Sequence, residues 1–339
     1  MELRTELSEE QKNDLLANKD EMLHLYYQML LIRRFEEKAG EMYTRAKMGG
    51  YVHLSIGEEA SIVGAVSVLA PQDYLLTSYR EHGQAIARGT DPKAVMAELY
   101  GKVTGTSRGR GGSMHLFDAA RRFYGGYAIV GEQMPLAVGT GLAAVYRQSD
   151  AVTLCMFGEG ATNIGAFHES LNLAKIWHLP VVFFCLNNQY GMGTAVARAS
   201  AQADIFRKAE AYNMVGEQVN GMDVLAVREA TQKALQRARA EHEPTLLESI
   251  AYRYRGHSMT DPGRYRSEEE VRRWRERDPI GNFQHRLLEA GLLTDAAVRE
   301  TAESVERVVQ EAVDFAENSP FPDPAVELYR YVYADEEER

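Results

Sequence analysis

The residues best suited to chemistry are an acidic residue between two glycines and a pair of asparagines, each at the end of an apolar run. Glu159 lies between Gly158 and Gly160 after "AVTLCMF", and Asn188 ends the run "PVVFFCLNN". Carboxylate and amide oxygens suit a Mg²⁺ or Ca²⁺ ion that keeps part of its shell for phosphate. Glycines let the backbone approach a bound group closely. The pattern favours a metal-bridged diphosphate, although a GxG segment alone is also typical of an ordinary strand-to-helix turn.

The segments around these residues predict a βαβ unit. Both apolar runs are typical of buried strands in a parallel sheet, and "NIGAFHESLNLAKIW" between them has the periodicity of an amphipathic helix. Ligands of such sheets gather at the carboxyl ends of the strands, so we expect Glu159 and Asn188 on one rim. A helix beginning near Thr162 would direct its N-terminal amides towards the same rim.

Other segments extend this unit into an α/β fold with a parallel sheet flanked by helices. We predict a long N-terminal helix ending near Gly49 and a helix capped by Asp223. Further strands are expected at "YVHLSIG", "DYLLTSYR" and "MVGEQV", further helices at "EEASIVGAVSVLA" and "DIFRKAEAY", and a strand at "PTLLESIAYR" that closes the sheet. The expected parts are an N-terminal helical arm (1–48), the α/β domain (49–266) and a helical C-terminal part packing on it (267–339).

Composition narrows the class of protein. Of 339 residues, 49 are acidic and 38 basic, and the formal charge of −11 argues against binding of nucleic acid. Cys155 and Cys185 each lie in an apolar run and are expected to be buried, inert thiols. No apolar run approaches the roughly 20 residues of a membrane span, and the acidic N-terminus does not have the pattern of a targeting peptide. We expect a cytoplasmic protein.

Residue type alone leaves two further features open. The segment "TGTSRGRGGSMHLFD" is glycine-rich and basic, so it is either a flexible solvated loop or a loop that faces an anion. A histidine can exchange protons near neutral pH, but a single histidine more often has a structural role. The structural interpretation is retained for four of them: His82, His115, His168 and His178.

Several segments, in the same order along the chain, resemble one protein family. They are Gly-Glu-Gly followed by Asn-Asn, "YVHLSIGEEA", "SYREHG", "RGGSMH", "NNQYGMGT" and "YRYRGHSMTDPG". Together they resemble the alpha subunits of pyruvate dehydrogenase decarboxylating components, in the thiamine diphosphate-dependent 2-oxo acid dehydrogenase family. The resemblance implies the thiamine diphosphate-binding fold. It also implies an oxidoreductase that decarboxylates pyruvate and reductively acetylates the lipoyl group of an acyltransferase core.

The resemblance assigns roles to individual residues. Glu159, Asn188 and the backbone carbonyl of Tyr190 would hold magnesium. Aspartate is usual at position 159, and the longer glutamate is expected to retain binding with a slightly shifted ion. Two histidines, His53 and His257, match active-site histidines and would assist acyl transfer. Contacts to the cofactor are implied for Tyr79, Arg80, Ala128, Val130, Gly158, Gly160, Ala161, Asn188 and His257.

The resemblance also implies partners. The aminopyrimidine of the cofactor needs a glutamate from a second domain, which a separate beta subunit would supply in an α2β2 heterotetramer. The other partners would be the lipoyl domain and core of a dihydrolipoyl acyltransferase, and a small 2-oxo acid as substrate. Residues 255–266 would form a loop that closes over the site. Ser258 matches a serine that kinases phosphorylate in mitochondrial relatives, but no kinase is indicated here, and we predict no such regulation.

Three alternatives stay open at this point. The chain could be the alpha subunit of an acetoin or branched-chain 2-oxo acid dehydrogenase, which these motifs do not separate from the pyruvate type. It could be a nonenzymatic assembly subunit, an alternative raised by the unusual Glu159. A nicotinamide-dependent dehydrogenase is the third, but Ile164 stands where the last small residue of the dinucleotide motif belongs.

Overall fold

The structure, a computed structural model, describes residues 8–332. Residues 1–7 of the expected arm and 333–339 of the expected C-terminal part lie outside the described residues. Within residues 8–332 the main sheet has six parallel strands in the order β2-β1-β3-β4-β8-β7, and β5 and β6 form a short antiparallel pair. The strands are β1 (Tyr74–Ser78), β2 (Phe123–Tyr127), β3 (Thr153–Gly158), β4 (Val181–Asn187), β5 (Tyr190–Gly191), β6 (Thr194–Ala195), β7 (Val215–Asn220) and β8 (Thr245–Ile250).

Helices cover both faces of the sheet. The α-helices are α1 (Glu9–Ala17), α2 (Lys19–Thr44), α3 (Glu59–Val66), α4 (His82–Ala87), α5 (Pro92–Leu99), α6 (Gln133–Tyr146), α7 (Gly165–Ile176), α8 (Val196–Ala199), α9 (Val224–Glu241), α10 (Glu268–Arg275), α11 (Pro279–Glu289), α12 (Asp295–Asn318) and α13 (Pro324–Glu327). Three 3₁₀ helices span Ala119–Arg121, Glu159–Asn163 and Ile205–Tyr212. None of the helices in residues 8–332 is long and apolar enough to cross a bilayer.

The central strands are apolar on both faces because each face is covered by helices. On β3, Leu154 and Met156 belong to one buried cluster, while Cys155 and Phe157 belong to another on the opposite face. Both cysteines are buried and free, as predicted. The first cluster also includes Phe35 of α2 and residues of α12, so the N-terminal and C-terminal helices pack against the same face of the sheet. The predicted α/β fold with a parallel sheet is confirmed.

Two predicted elements have a different form. The segment "YVHLSIG" is not a strand, because its backbone groups bond to side chains of surrounding elements: the N–H of Ser55, for example, donates to Glu36 Oε1 at 3.0 Å. The helix expected from Thr162 begins only at Gly165. Before it, the chain makes a 3₁₀ turn in which the Thr162 hydroxyl donates to the Glu159 carbonyl at 2.8 Å.

One further prediction about the sheet was wrong, one predicted helix is of a different type and one strand was missed. The segment "DIFRKAEAY" is a 3₁₀ helix (Ile205–Tyr212), and the N–H of Phe206 in its first turn is bonded to the buried Glu248 carboxylate at 3.1 Å. The strand at "PTLLESIAYR" does not close the sheet, since β7 pairs on its outer side. The opposite edge is β2, which the glycine-rich sequence "FYGGY" concealed. Asp223 caps α9 as predicted, accepting from the N–H of Leu225 at 3.0 Å.

Candidate active site

Glu159 and Asn188 lie on one rim of the sheet because their strands are neighbours. Strands β3 and β4 pair in parallel with Gly158 opposite Leu186, and the two side chains follow directly after the last residues of these strands. Both are buried, Glu159 with 3% and Asn188 with 8% of its surface exposed. The predicted juxtaposition is therefore present.

The Glu159 carboxyl is poised to receive a cation. Burial raises the pKa of Glu159 to about 7, and the nearby Arg253 guanidinium offsets only part of that effect. Among the described residues, its Oε1 atom has no hydrogen-bond partner although it is shielded from solvent. An unpartnered buried carboxylate oxygen is costly without a ligand, so this atom fits a metal ligand.

Asn188 is held by two charged side chains. Its Nδ2 donates to Glu58 Oε1 at 2.7 Å, which turns its Oδ1 towards the rim. The Arg253 guanidinium donates from Nη1 to Asn188 Oδ1 at 3.3 Å and to the Tyr190 carbonyl at 3.2 Å. Asn188 Oδ1 and the Tyr190 carbonyl oxygen, which the resemblance assigns to magnesium, therefore both accept from Nη1 of Arg253.

Two adjoining cavities open at this rim. The inner cavity has a volume of about 350 Å³. It is lined by ten of the predicted residues: Tyr79, Arg80, Val130, Gly158, Glu159, Gly160, Ala161, Asn188, Tyr190 and His257. The outer cavity, of about 650 Å³, is lined by His53 and Ala128 and shares Tyr79, Val130 and His257 with the inner one. Each residue predicted for the site thus lines one of two cavities that share lining residues, whereas His82, His115, His168 and His178 line neither cavity.

His53 and His257 lie next to each other at the junction of the cavities. Their ring centroids are 5.2 Å apart, and the Tyr79 ring lies 4.7 Å from His53. Burial, followed by the positive charge of Arg80, lowers the pKa of His53 to about 2 and that of His257 to about 4. The Nδ1 atoms of both rings are buried and have no partner in the described part of the chain. Both rings are therefore neutral near pH 7 and free to bond to a ligand.

Arg80 connects the backbones of the two histidine segments. Its Nη1 donates to the Leu54 carbonyl and its Nη2 to the His257 carbonyl, both at 2.7 Å. The guanidinium is 7% exposed and still lines the inner cavity. Arg80 thus organises the site as well as contributing positive charge to it.

The glycine-rich loop faces an anion that belongs to the protein itself. The buried carboxylate of Glu98 accepts the N–H groups of Ser107, Gly109, Gly111 and Gly112, at 2.8, 2.9, 2.6 and 3.2 Å. On the outer side, Arg108 and Arg110 form ion pairs with Glu327. Because these amides are occupied, the loop does not bind a ligand anion through them but presents Met114 to the outer cavity.

Residues 255–266 form the outer wall of the site. Asp261 organises this loop, because its Oδ2 accepts the N–H of His257 at 2.6 Å and the hydroxyl of Tyr265 at 2.9 Å. Ser258 bonds to Thr260 at 3.0 Å between hydroxyl oxygens and lines the outer cavity.

The sequence reasoning missed Arg253 and Glu58. Arg253 is 2% exposed and Glu58 1% exposed, and both line the inner cavity. Two features of the sequence could have indicated them: an arginine at the end of the apolar run "SIAYR" and an acidic pair directly after Gly57. A charged residue that is buried needs a partner of opposite charge or a hydrogen bond. The buried amides of Gln84 and Gln133 also line this cavity with unpartnered Oε1 atoms.

The residues of the inner cavity fit a metal-bound diphosphate. A carboxylate, an amide oxygen and a carbonyl oxygen surround the cation position, and two buried guanidinium groups supply positive charge for an anion. At the turn after β3, Gly160 faces Gly191, and a Cβ added at Gly160 would lie 3.6 Å from the Gly191 Cα, an ordinary van der Waals distance.

Known proteins have similar sequences over most of this chain. The family model described as "Dehydrogenase E1 component" matches residues 27–325. The chain is 44% identical over 315 residues to a protein of Rickettsia bellii (strain RML369-C), covering 93% of this chain and 96% of that protein. It is 46% identical over 313 residues to one of Rhizobium meliloti (strain 1021), covering 92% and 90%. A third, from Porphyra purpurea, is 43% identical over 330 residues, covering 95% and 96%.

All three relatives carry the name pyruvate dehydrogenase E1 component subunit alpha. The range that matches the family model includes both strands of the rim and every residue predicted for the site, from His53 to His257. The chain belongs to the dehydrogenase E1 component family.

Proposed function

We propose that this chain is the alpha subunit of a pyruvate dehydrogenase E1 component. The observation that carries the proposal is the buried Glu159 carboxylate, with an unpartnered oxygen, beside Asn188 and the Tyr190 carbonyl at the ends of adjacent strands. The names of relatives with 43 to 46% identity support the choice of pyruvate among the 2-oxo acids. An assembly-only role would not require such a costly buried carboxylate.

The cofactor in this proposal is thiamine diphosphate with magnesium. Glu159, Asn188 and the Tyr190 carbonyl would hold the ion, and Arg80, Tyr79 and the glycines after β3 would contact the diphosphate. Ala128 and Val130 would lie along the aminopyrimidine. When bound, the cofactor would supply a carbanion for addition to the keto carbon of the 2-oxo acid and an electron sink for the pair left behind when carbon dioxide departs.

The protein contributes position, charge and a shielded environment. His53 and His257 are neutral near pH 7, so each ring can accept a proton without first losing one, and can donate a hydrogen bond at the mouth of the site. We assign to them the stabilisation of charge on the substrate and on the lipoyl sulfur during acetyl transfer. Tyr265 and Asp261 hold the outer wall, which limits access of water.

A beta subunit completes the site in this proposal. The apolar side chains of Leu136, Leu142, Val145 and Tyr146 on α6 are 36 to 88% exposed, and such a row supports burial against a partner. The proposed assembly is α2β2, acting on the lipoyl domain of a dihydrolipoyl acyltransferase in the cytoplasm. The prediction that Ser258 is not regulated by phosphorylation remains part of this proposal, and phosphate on Ser258 in protein from the native cell would refute it.

The experiment is to co-express the chain with the beta subunit encoded beside it and to measure carbon dioxide release. Pyruvate is compared with branched 2-oxo acids, each with and without thiamine diphosphate and magnesium. Pyruvate-selective release that needs every component supports the proposal. Selective release of carbon dioxide from branched acids would identify a branched 2-oxo acid, and not pyruvate, as the substrate. No release from a well-formed complex would favour an assembly role.

A further inference from the structure

The segment that carries His53 is held by side chains and by single backbone bonds, since the carbonyls of Val52 and Ile56 accept the N–H groups of Met259 and Tyr254 at 3.0 and 2.9 Å. The N–H of His53 donates to Ser113 Oγ at 3.2 Å, and the N–H and hydroxyl of Ser55 donate to Glu36 Oε1 at 3.0 and 2.7 Å. The place of the His53 ring therefore depends on these two acceptors together with the bonds at the carbonyls of Val52, Leu54 and Ile56.

The acceptors are joined to each other through His82. Its Nδ1 lies 2.8 Å from Glu36 Oε2, and its Nε2 lies 2.9 Å from Ser113 Oγ. Glu36 and His82 are fully buried, and Ser113 is 5% exposed. Glu36, His82 and Ser113, which we call the buried triad, therefore close a ring with the backbone from His53 to Ser55.

Each member of this ring is held by hydrogen bonds. Burial would raise the pKa of the Glu36 carboxyl, but His82 and the two bonds from Ser55 outweigh it and hold that pKa below its usual value. With Glu36 ionised, Nδ1 of His82 faces it as a donor, while Nε2 lies 2.9 Å from Ser113 Oγ and 3.2 Å from the Ser113 carbonyl oxygen. Ser113 Oγ can then accept the N–H of His53. Each group has a partner, so the ring is rigid.

The buried triad is not placed to conduct protons to the site. Its far end, Glu36, has no exposed surface, and the one link to His53 is through the backbone N–H and not through the imidazole. None of the three side chains lines the inner or outer cavity. What the triad can control is the position of the His53 ring relative to His257 and Tyr79, at 5.2 and 4.7 Å between ring centroids.

We propose that Glu36, His82 and Ser113 are positioning residues that fix His53 for acetyl transfer to the lipoyl group. This inference rests on the proposed function. Its consequence is selective: loss of the triad impairs the step that needs His53 more than the decarboxylation of pyruvate. A merely structural role would affect both steps alike.

The test is Ser113→Ala in the α/β complex, measured with two acceptors. One assay follows reductive acetylation of a lipoyl domain, and the other follows reduction of a dye that takes electrons without the lipoyl group. We expect kcat for lipoyl acetylation to fall about tenfold or more, since displacement of a catalytic group by about 1 Å costs up to about 10²-fold. Dye reduction and KM for pyruvate should change by less than about twofold, within ordinary effects of remote substitutions.

Matched variants separate positioning from loss of structure. Ser113→Thr keeps the hydroxyl and should restore most of the lipoyl activity. Ser107→Ala lies on the same loop and removes a hydroxyl that donates to the His115 carbonyl at 2.6 Å, so it should leave the ratio of the two activities unchanged. If Ser113→Ala does not fold, His82→Asn takes its place, because the shorter amide can reach Glu36 but not Ser113.

A crystal structure of the Ser113→Ala complex provides a readout that does not depend on activity. The inference predicts a displaced or disordered His53 ring with an intact inner cavity. Equal loss in both assays, no loss in either, or an unmoved His53 ring would overturn it. Failure of the proposed function is distinct, since the wild-type complex would then be inactive with both acceptors.

Discussion

Nη1 of Arg253 bonds to Asn188 Oδ1 at 3.3 Å and to the neighbouring Tyr190 carbonyl at 3.2 Å. Burial raises the pKa of the Glu159 and Glu58 carboxyls, and Arg253 offsets part of that effect in both. One buried guanidinium therefore orients the proposed metal ligands and balances the two carboxylates that surround them. A cation bound at Glu159 would share Asn188 Oδ1 and the Tyr190 carbonyl oxygen with the Arg253 guanidinium.

Removing Arg253 should destabilise the protein because two buried carboxylates lose their countercharge. Arg253→Met is expected to cost about 3 kcal/mol, or about 5 °C or more in the thermal midpoint of the α/β complex. Scanning fluorimetry measures the midpoint. Arg255→Met, which changes an exposed arginine two residues along the chain, is the matched control and should shift it little. Equal midpoints for the two variants would contradict the role given to Arg253.

Glu159 should control the requirement for magnesium. Glu159→Gln removes the charge while keeping the shape, and we expect the magnesium concentration for half-saturation to rise about tenfold or more. Glu159→Asp should retain binding. The measurement is quenching of protein fluorescence by thiamine diphosphate during a magnesium titration of the α/β complex. Glu169→Gln, at an exposed position on α7, is the control. An unchanged titration for Glu159→Gln would rule out this residue as a metal ligand.

Glu98 should keep the glycine-rich loop closed. Its two oxygens accept four backbone N–H groups, so Glu98→Gln places an amide donor against other donors. We expect trypsin to cleave after Arg108 or Arg110 about tenfold faster, because local opening becomes easier by about 1.4 kcal/mol or more. Glu311→Gln removes an exposed partner of Lys93 and serves as the control. Unchanged cleavage in Glu98→Gln would show that other contacts hold the loop.

The buried, neutral His53 predicts a loss of stability in acid. The pKa of His53 falls from 6.5 to about 2 on folding, first through burial and then through Arg80. Below about pH 6.5 the unfolded chain takes up a proton that folded His53 does not, so its contribution to stability is complete above that pH and declines as the pH falls towards 2. His257, with a pKa of about 4, acts in the same direction.

The test compares thermal midpoints of wild type and His53→Gln at pH 7.5 and pH 5. Wild type should lose about 2 kcal/mol more than the variant over this interval, since one pH unit corresponds to about 1.4 kcal/mol for one proton. His24→Gln, which changes an exposed histidine on α2, should follow wild type. If His53→Gln shows the same pH dependence as wild type, His53 is not held neutral by the fold.

The βαβ unit and its rim could be predicted because they follow local rules. Continuous apolar runs are typical of strands buried on both faces, and parallel pairing fixes which ends meet. That was sufficient to bring Glu159 and Asn188 together. The motifs of the family then located the histidines and the cofactor residues, which line two cavities that share residues, although their roles remain predictions.

Other features depend on contacts between distant parts of the chain and leave little local signal. The sequence around His53 predicts a strand. In the structure the N–H of His53 bonds to Ser113, 60 residues away, and the N–H of Ser55 bonds to Glu36, 19 residues away. The anion of the glycine-rich loop is Glu98, which in the sequence is one acidic residue of an ordinary helix. Arg253 looked like the end of a strand, and only the fold shows that it bonds to Asn188 and to the Tyr190 carbonyl.

The most direct test of the central claim is transfer of label from [2-¹⁴C]pyruvate to a lipoyl domain by the complex of this chain with its beta subunit. The account predicts an acetylated lipoyl domain only when both subunits, thiamine diphosphate and magnesium are present, and at least about tenfold less with Glu159→Gln. An intact complex that binds the cofactor but leaves the lipoyl domain unlabelled would contradict it.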